Sequence, residues 1–284
     1  MSAAPAPLIV NVALTGMVGQ RERVPHLPVT REQIVEDACR CHELGASIVH
    51  VHARDADGRP EWRAEAYEGI VSGIRERCPE VVICVSTSGR DVGELKKRAA
   101  VLTLDGAARP DMASLTLGSL NFPTGPSINS AETVEALAAR MAEAGIKAEL
   151  EVFDSGMASE ARRLVGAGLI ERPAYANLIL GSHHAAPATL RELAHLVDSL
   201  PDDTVWAAGG VGALQQRALG MAIFAGGNVR TGLEDNPHLD WDARRPSTNS
   251  QLVERAVALA GLAGRPVASA METRKRLGLP RGSG

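Results

Sequence analysis

At 284 residues the chain can bury the core of one α/β barrel or of two smaller domains, and 45% hydrophobic with 23% charged residues is ordinary for a soluble globular protein. A formal net charge of -4 removes any electrostatic reason to expect nucleic acid or an acidic membrane as partner. That leaves a small-molecule function. The start "MSAAPAPLIVNVAL" lacks a basic region followed by a long apolar stretch, and no run approaches the roughly 20 apolar residues that span a bilayer. A cytoplasmic location is expected, with Cys39, Cys41, Cys78 and Cys84, which have no CxxC spacing, as reduced thiols.

Short β-branched runs alternate with longer amphipathic stretches, the signature of repeated βα units around a parallel sheet buried on both faces. The first strand is "LIVNVAL" from Leu8. A helix "TREQIVEDACRCHELG" follows, with Thr30 as cap, Gln33 in the capping-box position and Gly45 as stop. Then come the strands "SIVHVHA" from Ser47, "VVICVS" from Val81 and "DMASLTL" from Asp111. The helix "SAETVEALAARMAEAG" repeats the earlier grammar, with Ser130 as cap, Thr133 at the third position and Gly145 as stop. Strands "KAELEVF" from Lys147, "YANLIL" from Tyr175, "TVWAA" from Thr204 and "GNVRTG" from Gly227 complete the set, and "TNSQLVERAVALAGLAG" from Thr248 is the last strong helix.

About eight such units can be counted, the number that closes a (β/α)8 TIM barrel. No linker divides the chain, so a single domain is expected: a barrel over about 8–264, then an appended helix and frayed tail over about 265–284. Active sites of such barrels lie at the C-terminal strand ends. His50, His52, Ser86, Ser114, Glu151, Arg230 and Glu234 all fall at or near predicted strand ends.

His50 and His52 are two apart in a strand, so their imidazoles share a face and can converge on one metal ion. Catalytic zinc commonly takes three protein ligands, so one more is needed. Glu234 and Asp235 follow the eighth strand, which in a closed barrel neighbours the first and lies one strand from the second. Glu234 as ligand and Asp235 as base is a sensible division. The plainer alternatives are hydrogen-bonded structural histidines and an Arg230 that only neutralises a carboxylate. "STSGR" from Ser86 offers hydroxyls, Gly89 and backbone N–H groups near a predicted helix start, either a cradle for a substrate carboxylate or a helix cap. "AAGGVG" from Ala207 is a weak phosphate-loop signal, and His183 with His184 is either pocket lining or a polar loop. No GxSxG nucleophile elbow occurs.

The stretches "SIVHVHARDADGRP", "ELEVFDSGM" and "GGNVRTGLEDN", with "STSG" and "MASLTLGSLNFP", resemble the β-keto acid cleavage enzymes. The resemblance runs in order from about Leu8 to Ala268. It implies a zinc-dependent barrel that condenses a β-keto acid with acetyl-CoA to give acetoacetate and a new acyl-CoA, and a homo-oligomer of four or more copies. Carried over by position, it implies His50, His52 and Glu234 as metal ligands, Asp235 as general base and Arg230 as its partner. Ser86, Gly89, Ser114 and Glu151 become substrate-binding, with Ser114 standing where the pattern usually has Thr.

One departure concerns Val18 in "LTGMVGQ", where the 3-keto-5-aminohexanoate cleavage enzymes carry an acid suited to an ammonium group. An ammonium buried against valine is costly, so the expected substrate side chain is uncharged or otherwise polar. The loop "GQRERVPHLP", with Arg21 and Arg23, is read either as favouring an anionic group or as simply solvated. Two other classes stay open: a metal-dependent hydrolase on a barrel, whose HxH pair normally ends the first strand, and a non-catalytic binding protein stabilised by zinc.

Overall fold

The computed structural model describes residues 6–123 and 125–281. Its parallel strands are β1 Val10–Ala13, β2 Ile48–Val51, β3 Val82–Val85, β4 Met112–Thr116, β5 Lys147–Val152, β6 Tyr175–Leu180, β7 Val205–Gly210 and β8 Asn228–Thr231. They close into a barrel, β8 returning to β1 through Val10↔Val229 and Asn11↔Arg230. The TIM barrel expected from the alternation is the observed fold.

Period two explains why these runs are strands. Val10, Val12, Val49, Val51, Ile83, Val85, Leu115, Leu150, Val152 and Leu178 pack outward against the helices. The intervening Ile48, Val82, Cys84, Met112, Tyr175 and Ala207 fill the barrel interior. β7 runs two residues beyond its predicted end, because Gly209 and Gly210 pair with Ile179 and Leu180 of β6. Backbone pairing needs no side chain, so the glycines read as a phosphate loop belong partly to the sheet.

The helices are α1 Arg31–Glu43, α2 Ala64–Arg77, α3 Leu95–Arg98, α4 Ala131–Glu143, α5 Ser155–Gly166, α6 Leu190–Ser199, α7 Gln215–Phe224, α8 Asn249–Leu262 and α9 Ala270–Leu277. Thr30 with Gln33, and Thr248 with Gln251, form reciprocal capping boxes. Ser130 accepts from the Thr133 N–H, with no return bond to the cap backbone. Between β3 and β4 stands only the four-residue α3 with two 3-10 turns, so the helix expected directly after "STSGR" starts later and is short.

The appended segment closes the N-terminal end of the barrel. Ala268 and Leu277 pack on Ile9, Ile48, Val82 and Tyr175. Arg274 is buried, meets both Asp111 oxygens at 2.8 and 2.9 Å, and donates to the Glu80 and Val81 carbonyls. The tail expected to fray lies partly at 282–284, outside the described residues. Replacing Arg274 by Met leaves Asp111 with Arg75 alone and strips the carbonyls of their donor. The expected loss is about 3 kcal/mol in urea unfolding, and an unchanged midpoint would show that α9 is dispensable.

Candidate active site

At the C-terminal end of the barrel the interior turns polar. His50 on β2, Glu149 and Glu151 on β5, Asn177 on β6 and Arg230 on β8 occupy inward positions and are buried. His52 lies one residue past β2. The expectation that two histidines two apart share a face is met, since their Nε2 atoms lie 3.1 Å apart. Glu234 Oε2 lies 3.2 Å from His52 Nε2 and 3.8 Å from His50 Nε2.

Tetrahedral zinc with bonds of about 2.0–2.1 Å holds its ligand atoms roughly 3.3 Å apart, and these three separations are close to that. Two imidazole nitrogens face one another, and Glu234 Oε2 is buried without a hydrogen-bond partner. A buried carboxylate oxygen left in that state is costly. The donor set fits a divalent ion.

Behind the triad, Glu149 Oε2 meets His50 Nδ1 at 2.7 Å, while its Oε1 accepts from Asn11 at 2.6 Å and Asn177 at 2.8 Å. Such a carboxylate fixes the ring and its tautomer and leaves Nε2 free for a metal. Burial works against the charge on Glu149, but His50 and Arg230 outweigh it and hold the carboxyl down at about 2. His50 Nδ1, Cys84 and Glu149 also cluster within ligand distance. That group is fully buried and Glu149 is already engaged, so the triad that includes His52 and Glu234 is the better site.

Arg230 organises the rest. Its Nε meets Asp235 Oδ2 at 2.9 Å, and its terminal nitrogens reach Glu234 Oε1 at 3.0 Å, Glu151 Oε1 at 3.2 Å and Glu149 at 3.9 Å. Four carboxylates thus face one guanidinium, a balance that a dication improves. For Glu234, burial is outweighed by His52, Arg230 and His50, which hold it well below the usual carboxylate range. Burial pushes Asp235 above its ordinary value, and Arg230 offsets this only in part because Glu234 adds its own charge. The result is a carboxylate of raised basicity.

A cavity of about 280 Å³ opens over these groups, lined by His52, Ser86, Thr116, Glu151, Arg230, Glu234 and Asp235. Met17, Val18, Arg90, Phe122 and His183 also border it. Val18 is 46% exposed. Ser114 differs from the expectation: it lies a step deeper on the same face, bonded to Thr87, and the hydroxyl of β4 that reaches the cavity is Thr116, which donates to Glu151 at 2.7 Å. Gly89 leaves space for a neighbour, since a Cβ there would sit 2.6 Å from the Arg98 guanidinium. The Ser88 and Arg90 N–H groups expected to cradle a carboxylate bond to the Ser86 and Ser88 hydroxyls. His183 is an exposed rim residue, and His184 adopts φ 60° beside it.

The family model described as beta-keto acid cleavage enzyme matches residues 7–279. The chain belongs to the beta-keto acid cleavage enzymes. The expectation of an acyltransferase stands at that level. It is 37% identical over 277 residues to a "3-oxoadipate:acetyl-CoA acetyltransferase" of Cupriavidus necator, covering 96% of this chain and 95% of the relative. It is 36% identical over 273 residues to a "3-keto-5-aminohexanoate cleavage enzyme" of Fusobacterium nucleatum, covering 96% and 98%. Among solved structures, apo ObcA superposes with a TM-score of 0.80 at 21% identity over 90% of this chain, which spans 66% of that protein's length and carries the fold alone.

In this family member several residues of the site escaped the sequence reading. Glu149 carried a usable signal: it precedes Glu151 by two in "ELEV" and therefore shares its face. Asn11 and Asn177 are single amides inside apolar runs and carried none. Gly232, with φ +132°, is required after β8, because a Cβ would meet the Ala13 carbonyl at 2.1 Å. Gln215 and Asn249 then bind the backbone of Gly232 and Leu233 and fix the loop bearing Glu234 and Asp235. Glu149→Gln, which keeps shape but removes charge, is expected to weaken the binding of an added divalent ion about ten- to a hundredfold, measured by titrating Zn2+ into folded, metal-free protein; wild-type affinity would rule out the carboxylate–histidine relay.

Proposed function

We propose that the chain is a zinc-dependent acyltransferase that exchanges carbon units between a β-keto acid and acetyl-CoA, releasing acetoacetate and a new acyl-CoA. The observation that carries the reading is the convergence of His50, His52 and Glu234 beside an Asp235–Arg230 pair at one cavity. A divalent ion held by those three side chains supplies Lewis-acid polarisation of a carbonyl oxygen.

Asp235, of raised basicity, is placed to take a proton from the carbon flanked by the ketone and the carboxylate. Arg230 offers fixed positive charge to the oxyanion that develops. The carbanion attacks the acetyl thioester carbon and the coenzyme A thiolate leaves. That thiolate adds to the original ketone carbon, the carbon–carbon bond breaks, and Asp235 returns its proton to the departing carbon. Acetoacetate and acyl-CoA result with no net proton consumed. Ser86 at the cavity wall supplies a hydroxyl toward the substrate carboxylate, while the Thr116 hydroxyl is spent on Glu151.

The HxH pair ends the second strand and its carboxylate partner comes from beyond the eighth. This favours acyl transfer over the hydrolase reading, in which the pair ends the first strand. Buried free cysteines support a reducing, cytoplasmic setting, and no helix of the described residues is long and apolar enough to cross a membrane. A homo-oligomer, tetrameric or larger, follows from the family resemblance, and Phe224 and Leu262, 71% and 81% exposed, are apolar side chains that an interface would cover.

β-Keto acids with apolar, carboxylate and ammonium ends, each incubated with acetyl-CoA while acetoacetate is followed, test the reaction. Turnover without the thioester would sink it. Asp235→Asn should lower kcat by about 10²–10⁴ with the metal content retained. With Val18 at the wall, the ammonium substrate should be the poorest, and Val18→Glu should improve its kcat/KM about tenfold or more relative to the apolar one. Equal improvement for both substrates would remove Val18 from specificity.

A further inference from the structure

A second cavity, of about 550 Å³, adjoins the catalytic one, and Met17 and Val18 stand in the wall of both. Its other walls are the loop residues Gly19, Gln20, Arg21 and Glu22 and the turn from Ala56 to Pro60. Arg54 ties those walls together: it donates to the Gly58 carbonyl at 2.7 Å and to the Gly16 carbonyl at 2.6 Å. Its Nε is buried with no hydrogen-bond partner. Arg21 and Arg59 complete three guanidinium groups against the carboxylates of Glu22 and Asp57. Arg59 meets Asp57 at 3.2 Å, with its side chain 75% exposed.

The catalytic cavity, about 280 Å³, has room for a keto acid and a thioester but not for a whole coenzyme A. Most of that molecule lies outside it. Its distal part carries a pyrophosphate and a ribose phosphate, groups that arginine recognises with paired, charge-assisted hydrogen bonds. Another cavity that borders the catalytic one at Met17 is only about 20 Å³.

We infer that the coenzyme A arm leaves the catalytic cavity over Met17 and Val18 and lays its phosphates in the groove lined by Arg21, Arg54 and Arg59. This rests on the acyl-transfer reading, and it assigns the groove a ligand class, an adenosine phosphate on a pantetheine arm. Val18 then borders both substrates, and the Arg21 loop answers to the coenzyme rather than to the keto acid.

Arg59→Glu and Arg21→Ala, both at solvent-accessible positions, test the groove in the full-length enzyme. Free coenzyme A is titrated calorimetrically into wild type and variants, and kcat/KM is compared between acetyl-CoA and the acetyl thioester of N-acetylcysteamine, which lacks the nucleotide. Arg59→Glu should raise the Kd for coenzyme A about tenfold or more. It should lower the ratio of kcat/KM for acetyl-CoA to that for the short thioester by a similar factor, and Arg21→Ala should shift both quantities in the same direction. Wild-type values in both variants overturn the inference, as does a wild-type protein that does not bind coenzyme A. A wild type that binds coenzyme A through these arginines yet converts no keto acid overturns the reaction and leaves the groove standing.

Discussion

The site depends on one buried guanidinium. Arg230 points inward from β8 and is 1% exposed, so its charge must be met by side chains. Four carboxylates meet it, two from β5 and two from the loop after β8. Its planar fork fixes orientation as well as charge. Glu234 uses one oxygen for Arg230 and turns the other toward both histidines. The third arm of the ligand triad is therefore aimed by the arginine, and a lysine, a single point charge, would not set the same plane.

The carboxylates around Arg230 do not share one environment. Glu149 and Glu234 are held low by histidines and arginine, whereas burial raises Asp235. Acids driven apart in this way take different tasks, with the low ones holding position and the raised one exchanging a proton. Such a concentration of charge needs a rigid surround. The loop after β8 has one in Gln215 from α7 and Asn249 from α8, which grip its backbone. At the opposite end, α9 and the Arg274–Asp111 pair close the barrel, leaving its C-terminal mouth as the route to the polar interior.

What was legible in the chain was whatever period two and chain order determine. The eight strands, the capping box at Thr30, and the shared face of His50 and His52 follow from local pattern. The convergence of Glu234 on them follows from β8 closing on β1. Depth along the barrel axis does not follow. Ser114 and Thr116 share a face, and only the stagger of β4 against β5 decides that Thr116 reaches the cavity and Glu151. Gly89 belongs to the expected carboxylate cradle, but what demands a glycine there is the close approach of Arg98, a contact set by the loop fold rather than by spacing. Asn11 and Asn177 support Glu149 from strands 1 and 6, and nothing within either strand marks an amide as the partner of a distant acid.

The stretch "HVHAR" ties the two halves of the site together. β2 ends at Val51, pairing resumes at Ala53–Arg54 with Pro60–Glu61, and the alternation carries through His50, His52 and Arg54. The first two face Glu234, and the third reaches the Gly16 carbonyl, one residue before the Met17–Val18 wall. The same extended run therefore positions the ligand nitrogens and anchors the loop that borders the substrate cavity. A shift of that loop is resisted by Arg54 on a strand whose other end is fixed by Glu149 through His50. Wall and ligands keep their spacing because they hang on one backbone, which lets residues such as Val18 vary in chemistry without disturbing the triad.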